Sequence, residues 1–402
     1  MPPAPRDPLM GLHPANRAAV YGQLLSEMPS YWSTLHSSWI LTRYSDVSAV
    51  MRNPQAMALD AVPFLGSLSQ RSGIDLSRLL SFLSSLLLLM RPPRHDAVRK
   101  LLAQVLGNFR RTSLPALLEA RAERLLASGA REGSIDLAAG YGQTLALFAI
   151  GTILGLPEED LGALGAISNE FMEVFERRLP SVSRLIELNR QVTALMEYFE
   201  RLIARRRRES GEDGLSTLVR LSDSELACND EELAGFCTFF FIAGEETTRA
   251  GISEAMLMLL ERPALRAQLS AQPEKIPGAA REFIRLASPV QYVVKEMGAD
   301  LQVDSLTIRT GEPVILMLGA ANRDPAVFPN PNEPDPDRNG PESVAFAVGP
   351  YRCVGAQLAT FEIDLAVRKL LAWPGLRLSS EQPVWVERMN IAPLRHLMAN
   401  YS

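Results

Sequence analysis

The chain has 402 residues, a hydrophobic fraction of 47%, a charged fraction of 22% and a formal net charge of −5. This composition is ordinary for a globular protein, and it gives no global basic field that would argue for nucleic-acid binding. The three cysteines, Cys228, Cys237 and Cys353, show neither a disulfide framework nor the spacing of a zinc site, which favours a reducing cytoplasm.

Two segments bear on membrane association, and neither predicts a membrane anchor. Residues 1–10 contain four prolines and no apolar core, unlike a signal peptide. The most apolar run, residues 79–90, has 12 residues, whereas a membrane-spanning helix needs about 20. We therefore expect a buried helix or loop there, and the alternative is an apolar wall beside a ligand cavity.

The first elements along the chain are short. Residues 18–28 have the pattern of an early helix, and residues 39–53 that of a strand followed by a helix capped at Ser45 or Asp46. Helical patterning then dominates from about residue 95 to 285. Glycines and β-branched residues gather in residues 290–314, which predicts short strands.

The longest predicted helix begins with Asp230, Glu231 and Glu232, because acidic residues favour the positive end of a helix. It runs to about Arg262 and is apolar on almost every side, which places it in the interior. Six prolines in residues 325–341 exclude a helix and a central strand. With a last helix near Cys353, the pattern predicts a helix-rich fold with a minor β component, in one domain over residues 1–402.

Cys353 lies in the segment FAVGPYRCVG, between a glycine turn and a predicted helix. Backbone N–H groups at a helix N-terminus stabilise an anion and lower the pKa of a thiol. Gly349 and Gly355 let the backbone approach a flat group closely. A thiolate held in this way is suited to be an axial ligand of heme iron, and a buried structural cysteine is the alternative.

The sequence AGEETT, residues 243–248, lies midway along the long helix. A glycine there costs about 1 kcal/mol relative to alanine, and a buried acid or hydroxyl is unfavourable unless it has a partner. One interpretation is that the Thr247 hydroxyl bonds to the Ala243 carbonyl and bends the helix. The functional interpretation is an oxygen-binding groove with a proton supply.

Two further patterns are weak in isolation. Residues 282–285, EFIR, form an E-x-x-R pair of a kind that is common on helix surfaces and contributes little. His95 and Arg99 are four residues apart on one helix face, which suits the binding of an anionic group. A solvated helix face is the simpler explanation for such a pair alone.

The spacing F-x-x-G-x-x-x-C-x-G around Cys353 closely resembles the heme-binding signature of the cytochrome P-450 superfamily. Three more segments resemble its P-P-x-H-x-x-x-R, A-G-x-[DE]-T and E-x-x-R motifs, in the same order over residues 92–355. The beginning and end of the chain also resemble the soluble bacterial branch. The resemblance implies the P-450 fold, mainly α with small β-sheets, in which heme b lies between the long central helix and the cysteine loop with Cys353 as iron ligand.

The resemblance also implies roles for individual residues. It gives the catalytic acid role to Glu246 and the alcohol role to Thr247, with Glu245 at the variable position as a bystander. It gives Glu282, Arg285 and Arg338 a structural role on the thiolate side of the heme. The residues expected to contact the cofactor are His95, Arg99, Ala243, Gly244, Lys295, Phe346, Gly349, Tyr351, Cys353 and Gly355.

Two of these positions depart from the bacterial pattern. Lys295 stands where an arginine is usual, and Tyr351 where a histidine is usual. Both side chains can still hydrogen-bond a heme propionate, although the lysine does so as a point charge and not as a planar fork.

The resemblance predicts a monooxygenase that inserts one oxygen atom of dioxygen into a lipophilic small molecule, as a tailoring step in bacterial secondary metabolism. The alternatives are a peroxide-driven peroxygenase, whose members tend to lose the acid–alcohol pair, and a non-catalytic heme-binding protein, which leaves that pair unexplained. Some relatives act on substrates tethered to a carrier protein. The expected pocket is lined by Phe82, Leu86, Phe239, Gln291, Val293 and Ile391.

We expect a cytoplasmic monomer without a membrane anchor that receives electrons from a separate ferredoxin and its reductase. Basic residues on segments that flank the proximal face in this superfamily suit an acidic ferredoxin. Ordinary solvated helix faces explain each of them equally well. These residues are Arg99, Lys100, Arg110, Arg111, Arg352, Arg368 and Lys369.

Overall fold

The fold is given by a computed structural model that describes residues 7–107, 109–176, 180–226, 228–304 and 306–401. Helices predominate, as the periodicity predicts. The α-helices are α1 (Arg17–Glu27), α2 (Tyr44–Arg52), α3 (Val62–Ser72), α4 (Ser77–Ser84), α5 (Arg94–Gly107), α6 (Leu114–Glu132), α7 (Thr144–Leu154), α8 (Leu161–Phe171), α9 (Val182–Arg208), α10 (Gly214–Leu221), α11 (Asp230–Leu260), α12 (Pro263–Ala271), α13 (Ile276–Ala287), α14 (Leu318–Ala321) and α15 (Ala356–Leu371).

The strands are short and form small sheets. They are β1 (Ser30–Ser33), β2 (Ser38–Leu41), β3 (Ala56–Ala58), β4 (Ser134–Asp136), β5 (Tyr292–Met297), β6 (Leu301–Val303), β7 (Leu306–Ile308), β8 (Pro313–Met317), β9 (Leu376–Leu378), β10 (Val384–Trp385), β11 (Leu394–His396) and β12 (Met398–Tyr401). The largest sheet has the order β1-β2-β8-β5-β3, in which β2 and β8 are parallel and the other pairs antiparallel. Strand β5, which carries Lys295, is thus held between β3 and β8.

Helix α11 is the central element, and it lies in the interior as its apolar sequence predicts. It has 31 residues and begins at Asp230, where the Asn229 side chain accepts a hydrogen bond from the Glu232 N–H. It packs against α7, α9, α13 and α15. Because it contacts helices from both halves of the chain, it fixes the position of its mid-helix motif relative to the cysteine loop.

The predicted cap of α2 is wrong. The helix begins at Tyr44, and the carboxylate of Asp324, distant in sequence, accepts a hydrogen bond of 3.0 Å from the Tyr44 N–H. A tertiary contact therefore does what Ser45 or Asp46 would have done locally, and local sequence does not reveal it.

One described helical segment, Leu137–Leu154, is long and apolar enough to cross a membrane. However, 67% of the segment is buried inside the protein, as in a core helix, and its α7 part packs against α11. The apolar run at residues 79–90 forms the end of α4 and a short turn of 3-10 helix, Leu87–Leu89. Residues 1–6 of the N-terminal segment lie outside the described residues.

A buried ion network fixes the proline-rich loop, residues 325–341, against α13. Arg285 donates two hydrogen bonds of 2.8 and 2.7 Å to the Glu282 carboxylate, and Arg338 from the loop donates a third of 2.9 Å. Arg285 also donates to the carbonyl oxygens of Asn322 and Pro331. The structure thus brings together the three residues to which a structural role was assigned.

The charge of Glu282 is stabilised by these contacts. Burial alone would raise the pKa of Glu282, but the hydrogen bond and charge of Arg285, the N–H of Asp335 and the Arg338 guanidinium outweigh it and lower the pKa. A carboxylate with a lowered folded-state pKa stabilises the fold above its unfolded-state pKa, and this contribution is lost as the pH falls through the folded-state value.

Substitution Glu282→Ala is expected to lower the free energy of unfolding by about 3–5 kcal/mol, because it leaves the buried Arg285 without its partner. The measurement is chemical denaturation of the heme-loaded protein at pH 7, with heme content recorded in parallel. Glu187 and Arg190 form a pair of the same i,i+3 spacing on an exposed face of α9. Glu187→Ala should therefore leave the unfolding midpoint unchanged, and equal effects of the two substitutions would contradict the structural role.

Candidate active site

A cavity of about 530 Å³ lies between α11 and the segment that carries Cys353. Most of its lining is apolar. It includes Leu87–Leu89 from the apolar run at residues 79–90, and Phe239 and Phe240 from α11. The apolar run is therefore both a short helix with its following turn and a wall of the cavity, so both interpretations hold.

The cysteine loop requires glycine at its turn. Gly349 has a φ of +78°, and a Cβ atom there would lie 2.8 Å from the Met51 carbonyl oxygen. Gly349 does not line the cavity, so its role is to turn the backbone and not to contact a flat group. The Cys353 N–H donates to the Phe346 carbonyl at 2.8 Å, which closes the loop.

Cys353 lines the cavity, and its side chain is exposed there although protein surrounds the thiol. Burial raises the pKa of the Cys353 thiol, while the N–H groups of Gly355 and Ala356 and the charges of Arg99 and Arg352 act in the opposite direction. Helix α15 begins at Ala356, so its N-terminus points at the sulphur. The loop is therefore built to hold a thiolate when a cation is bound to it.

One side of the cavity carries a stacked polar cluster. The rings of His95 and Tyr351 have centroids 4.5 Å apart, and the Lys295 ammonium lies 4.4 Å from the centre of the Tyr351 ring. The Tyr351 hydroxyl donates to the Met90 carbonyl at 3.1 Å. The expected hydrogen bond from this hydroxyl to a propionate is therefore not supported, since the ring positions its neighbours and the hydroxyl is engaged elsewhere.

Lys295 remains as a donor toward the cavity, and His95 presents a second polar atom to it. His95 is 1% exposed, its Nδ1 lies 2.7 Å from Asp96, and its buried Nε2 has no partner among the described residues. Burial lowers the pKa of Lys295 to about 8, and no carboxylate of the described part of the chain pairs with it. Arg99 also lines the cavity, and it donates to the Arg352 carbonyl and so ties α5 to the cysteine loop.

These groups fit an iron porphyrin. A thiol faces the cavity from the cysteine loop, and a buried imidazole nitrogen and a buried ammonium without an anionic partner lie beside it. An anionic propionate supplies the counter-charge that the Lys295 ammonium lacks, because a buried cation is unfavourable until it is paired.

The mid-helix motif combines close packing with a hydroxyl at the cavity. A Cβ atom at Gly244 would lie 3.1 Å from the Ile150 side chain, so the glycine allows α7 and α11 to approach closely. The Thr247 hydroxyl donates to the Ala243 carbonyl at 2.7 Å, as the first interpretation predicts, and Thr247 also lines the cavity. The structure therefore contains the bond of the first interpretation and the cavity position that the second requires.

The two acids of the motif are fully buried behind the cavity lining. Glu246 accepts hydrogen bonds from Arg249 at 3.2 Å and Arg388 at 2.7 Å. Glu245 accepts one from Ser168 at 3.3 Å. Glu245, expected to be a bystander, is thus buried beside the charge network of Glu246.

Four of the six predicted pocket residues line the cavity, namely Leu86, Phe239, Val293 and Ile391. Phe82 does not, because it packs edge-on against Phe171 with ring centroids 5.1 Å apart. Gln291 does not either, because its amide donates to the carbonyls of Ala287 and Ser288 and accepts from the Tyr21 hydroxyl.

Sequence reasoning missed several polar residues of the cavity wall. Glu362, on α15, is buried with one unpaired carboxyl oxygen, and burial raises its pKa well above the ordinary value. Its position nine residues after Cys353 is the only sequence signal that would have found it. The missed polar residues are Glu176, Thr248, Glu362 and Asn390.

Comparison with known proteins agrees with this geometry. The family model for cytochrome P-450 matches residues 171–373. The mycinamicin IV hydroxylase/epoxidase of Micromonospora griseorubida is 31% identical over 399 residues, covering 95% of both chains. The chain belongs to the cytochrome P-450 family.

Two further P-450 proteins show the extent of the likeness. The nocardicin C N-oxygenase of Nocardia uniformis subsp. tsuyamanensis is 31% identical over 395 residues, or 94% of this chain and 93% of that protein. The crystal structure of P450BioI in complex with hexadec-9Z-enoic acid ligated acyl carrier protein superposes with a TM-score of 0.88 at 27% identity, covering 97% of this chain and 99% of that one. The chain is thus a heme-thiolate monooxygenase of the bacterial type, which confirms the predicted fold and reaction class.

The affinity of the apoprotein for heme is expected to fall as the pH rises above about 8. Lys295 is protonated below this pH and attracts a propionate, whereas above it heme binding requires the uptake of a proton. The measurement is heme transfer to a competing apoprotein between pH 6 and pH 10. Lys295→Met should weaken binding at neutral pH and flatten the dependence, and Lys295→Arg should retain binding; an unchanged profile in Lys295→Met would contradict the assignment.

Proposed function

We propose that the chain inserts one oxygen atom of dioxygen into a lipophilic small molecule, with heme b held by Cys353. The observation that carries this proposal is that Cys353, Thr247 and the apolar residues Leu86–Leu89 line one cavity. The heme, when bound, supplies the activation of dioxygen, and the protein supplies the ligand, the orientation and a dry site.

The chain's own residues divide this work. The Cys353 sulphur would hold the iron, and the His95 imidazole and Lys295 ammonium would orient the propionates. Apolar side chains of the cavity exclude water and so favour transfer of oxygen to a bound substrate. Thr247 places a hydroxyl at the cavity surface, and the buried Glu246, one residue earlier in the sequence, is assigned the relay of protons toward it.

We infer a tailoring step in bacterial secondary metabolism as the biological role. Support comes from the relatives that act on mycinamicin IV and nocardicin C, both at 31% identity. The P450BioI complex, in which the fatty acid is ligated to a carrier protein, supports the additional proposal that the substrate is presented on a carrier. A largely apolar wall suits an acyl or polyketide chain in either case.

We also propose a cytoplasmic enzyme reduced by a ferredoxin. Of the basic residues near the cysteine, Arg110, Arg111 and Arg352 are exposed. Lys100, Arg368 and Lys369 form surface ion pairs. Such exposed pairs are weak, so they leave a basic surface available to an acidic partner.

The function is tested by a spin-state screen of the ferric protein against lipophilic compounds, free and as carrier-protein thioesters. We expect hits that displace water from the iron and are then oxygenated when electrons are supplied. If no spin-shifting compound were oxygenated under reducing conditions, the proposed monooxygenase reaction would be wrong.

The purified chain with NADPH and dioxygen alone should not oxidise such a compound, and addition of a ferredoxin and its reductase should start turnover. Product formation is followed by mass spectrometry, with hydrogen peroxide in place of the redox proteins as a comparison. Turnover that depends only on peroxide, at a rate above that with the redox proteins, would favour the peroxygenase alternative.

Thr247→Ala should keep heme and continue to consume NADPH while more of the electrons are released as hydrogen peroxide. The reason is that a hydroxyl at the cavity surface holds the water that directs protons during oxygen activation. Product and peroxide per NADPH are measured together for a hit from the screen. Thr247→Ser, which keeps the hydroxyl, is the matched control, and unchanged coupling in Thr247→Ala would remove the assigned role.

A further inference from the structure

Four charged side chains from two parts of the chain meet in the interior beside the mid-helix motif. Glu245, Glu246 and Arg249 lie on α11, and Arg388 comes from the loop between β10 and β11. Both glutamates are 0% exposed, and Arg249 is 5% exposed. Charges buried to this degree are unfavourable unless they compensate one another, so their pairing decides which of them are ionised.

Both arginines donate hydrogen bonds to the same carboxyl group, that of Glu246. Glu246 Oε1 accepts from Arg249 Nη2 at 3.2 Å and from Arg388 Nη2 at 2.7 Å. The nearest guanidinium nitrogen to Glu245 is Arg249 Nε at 3.8 Å, beyond hydrogen-bonding distance. The Ser168 hydroxyl on α8 approaches Glu245 at 3.3 Å. The geometry therefore favours the ionised form at Glu246 and not at Glu245.

The number of positive and negative charges around these side chains also favours the ionised form at Glu246 and not at Glu245. Arg388 is also compensated by Glu176, whose carboxylate accepts N–H groups of Met389 and Asn390 at 3.3 and 2.9 Å. Burial raises the pKa of Glu176 and of Glu246, and the arginines act against it; when both are ionised, they balance Arg249 and Arg388. A third negative charge on Glu245 would have no counterpart among these groups, and burial raises the pKa of Glu245 to about 8.

We propose that Glu245 holds a proton at neutral pH and forms one proton-delivering unit with Glu246 and Arg249, in which Arg388 is the positioning residue. The inference rests on the proposed monooxygenase function. It adds the residue at the variable position of the motif to the proton path, together with an arginine outside every motif that the sequence displays.

The unsatisfied polar atoms of this unit provide a route for the proton. Buried atoms without a partner in the described part of the chain include Glu245 Oε1, Glu246 Oε2, Arg249 Nε and Arg388 Nη1. Such a group of unsatisfied atoms in one place is explained by water or by a second side-chain arrangement. A proton leaves the Glu245 carboxyl and passes along these atoms to the Glu246 carboxylate, where a new O–H bond forms. No electron is transferred.

Arg388 connects this unit to the substrate cavity. The two residues that follow Met389, Asn390 and Ile391, line the cavity, and Arg388 also donates to the Asn169 carbonyl on α8. The positioning residue of the unit is therefore two residues from the cavity wall.

The protonation of Glu245 is tested by infrared spectroscopy of the purified heme-loaded protein at pH 7, without substrate or oxygen. Glu245→Gln should remove one carbonyl band of a protonated carboxylic acid and leave the thermal unfolding midpoint nearly unchanged, because a neutral group replaces a neutral group. Glu246→Gln should lower the midpoint, because it removes the carboxylate to which both arginines donate. Glu362→Gln is the control, since it removes the band of a different buried acid.

The result that would overturn the assignment is an unchanged carboxylic acid spectrum in Glu245→Gln, or a band lost in Glu246→Gln instead. Because these measurements involve no turnover, they can fail while the monooxygenase function holds. Arg388→Gln should add a new carboxylic acid band, as Glu246 gains a proton when its closest cation is removed, and Arg388→Lys should restore the wild-type spectrum. No new band in Arg388→Gln would show that Arg388 has only a structural role.

Discussion

The N-terminus of α15 against the Cys353 sulphur is the contact on which the rest of the structure depends. An anion is unfavourable inside an apolar protein, and burial accordingly raises the pKa of the thiol. The N–H groups of Gly355 and Ala356 and the charge of Arg99 act in the opposite direction. The loop must hold this geometry, which explains the left-handed glycine at position 349 and the ion network that fixes the preceding proline-rich segment.

The need to compensate a buried charge recurs elsewhere around the cavity. Glu282 is kept ionised by Arg285 and Arg338, whose contacts lower its pKa. Burial raises the pKa of Glu246, and Arg249 and Arg388 act in the opposite direction. The converse arrangement is found at the Lys295 ammonium and at the His95 Nε2 atom, which line the cavity without a partner of opposite charge in the described chain. Paired charges thus mark the scaffold and the proton path, while unpaired donors mark the place of a ligand.

Much of the fold and of the site could be predicted from the sequence, because several motifs determine the local backbone conformation as well as the chemistry. The glycine turn before Cys353, the acidic start of α11 and the prolines of residues 325–341 each specify backbone structure by themselves. Spacing along a helix then places the motif residues correctly, so Glu282 and Arg285 meet as expected. These predictions depend on contacts between residues close in sequence.

The failures concern side chains whose direction is set by distant segments. Gln291 points away from the cavity because Tyr21, from the first helix, binds its amide, and the Tyr351 hydroxyl is engaged by Met90. Arg388 lies 142 residues from Glu246 in sequence, in a loop that carries no motif. The surroundings of Glu245 could not be predicted either, because its partner Ser168 comes from another helix.

The most direct test of the account is the absorption spectrum of the reduced protein with carbon monoxide bound. The account predicts the red-shifted Soret band of thiolate ligation in the wild type and its loss in Cys353→Ser, with the same change absent from Cys237→Ser, a buried cysteine that does not line the cavity. A Soret band at the ordinary position in the wild type, or a red-shifted band that survives in Cys353→Ser, would contradict it.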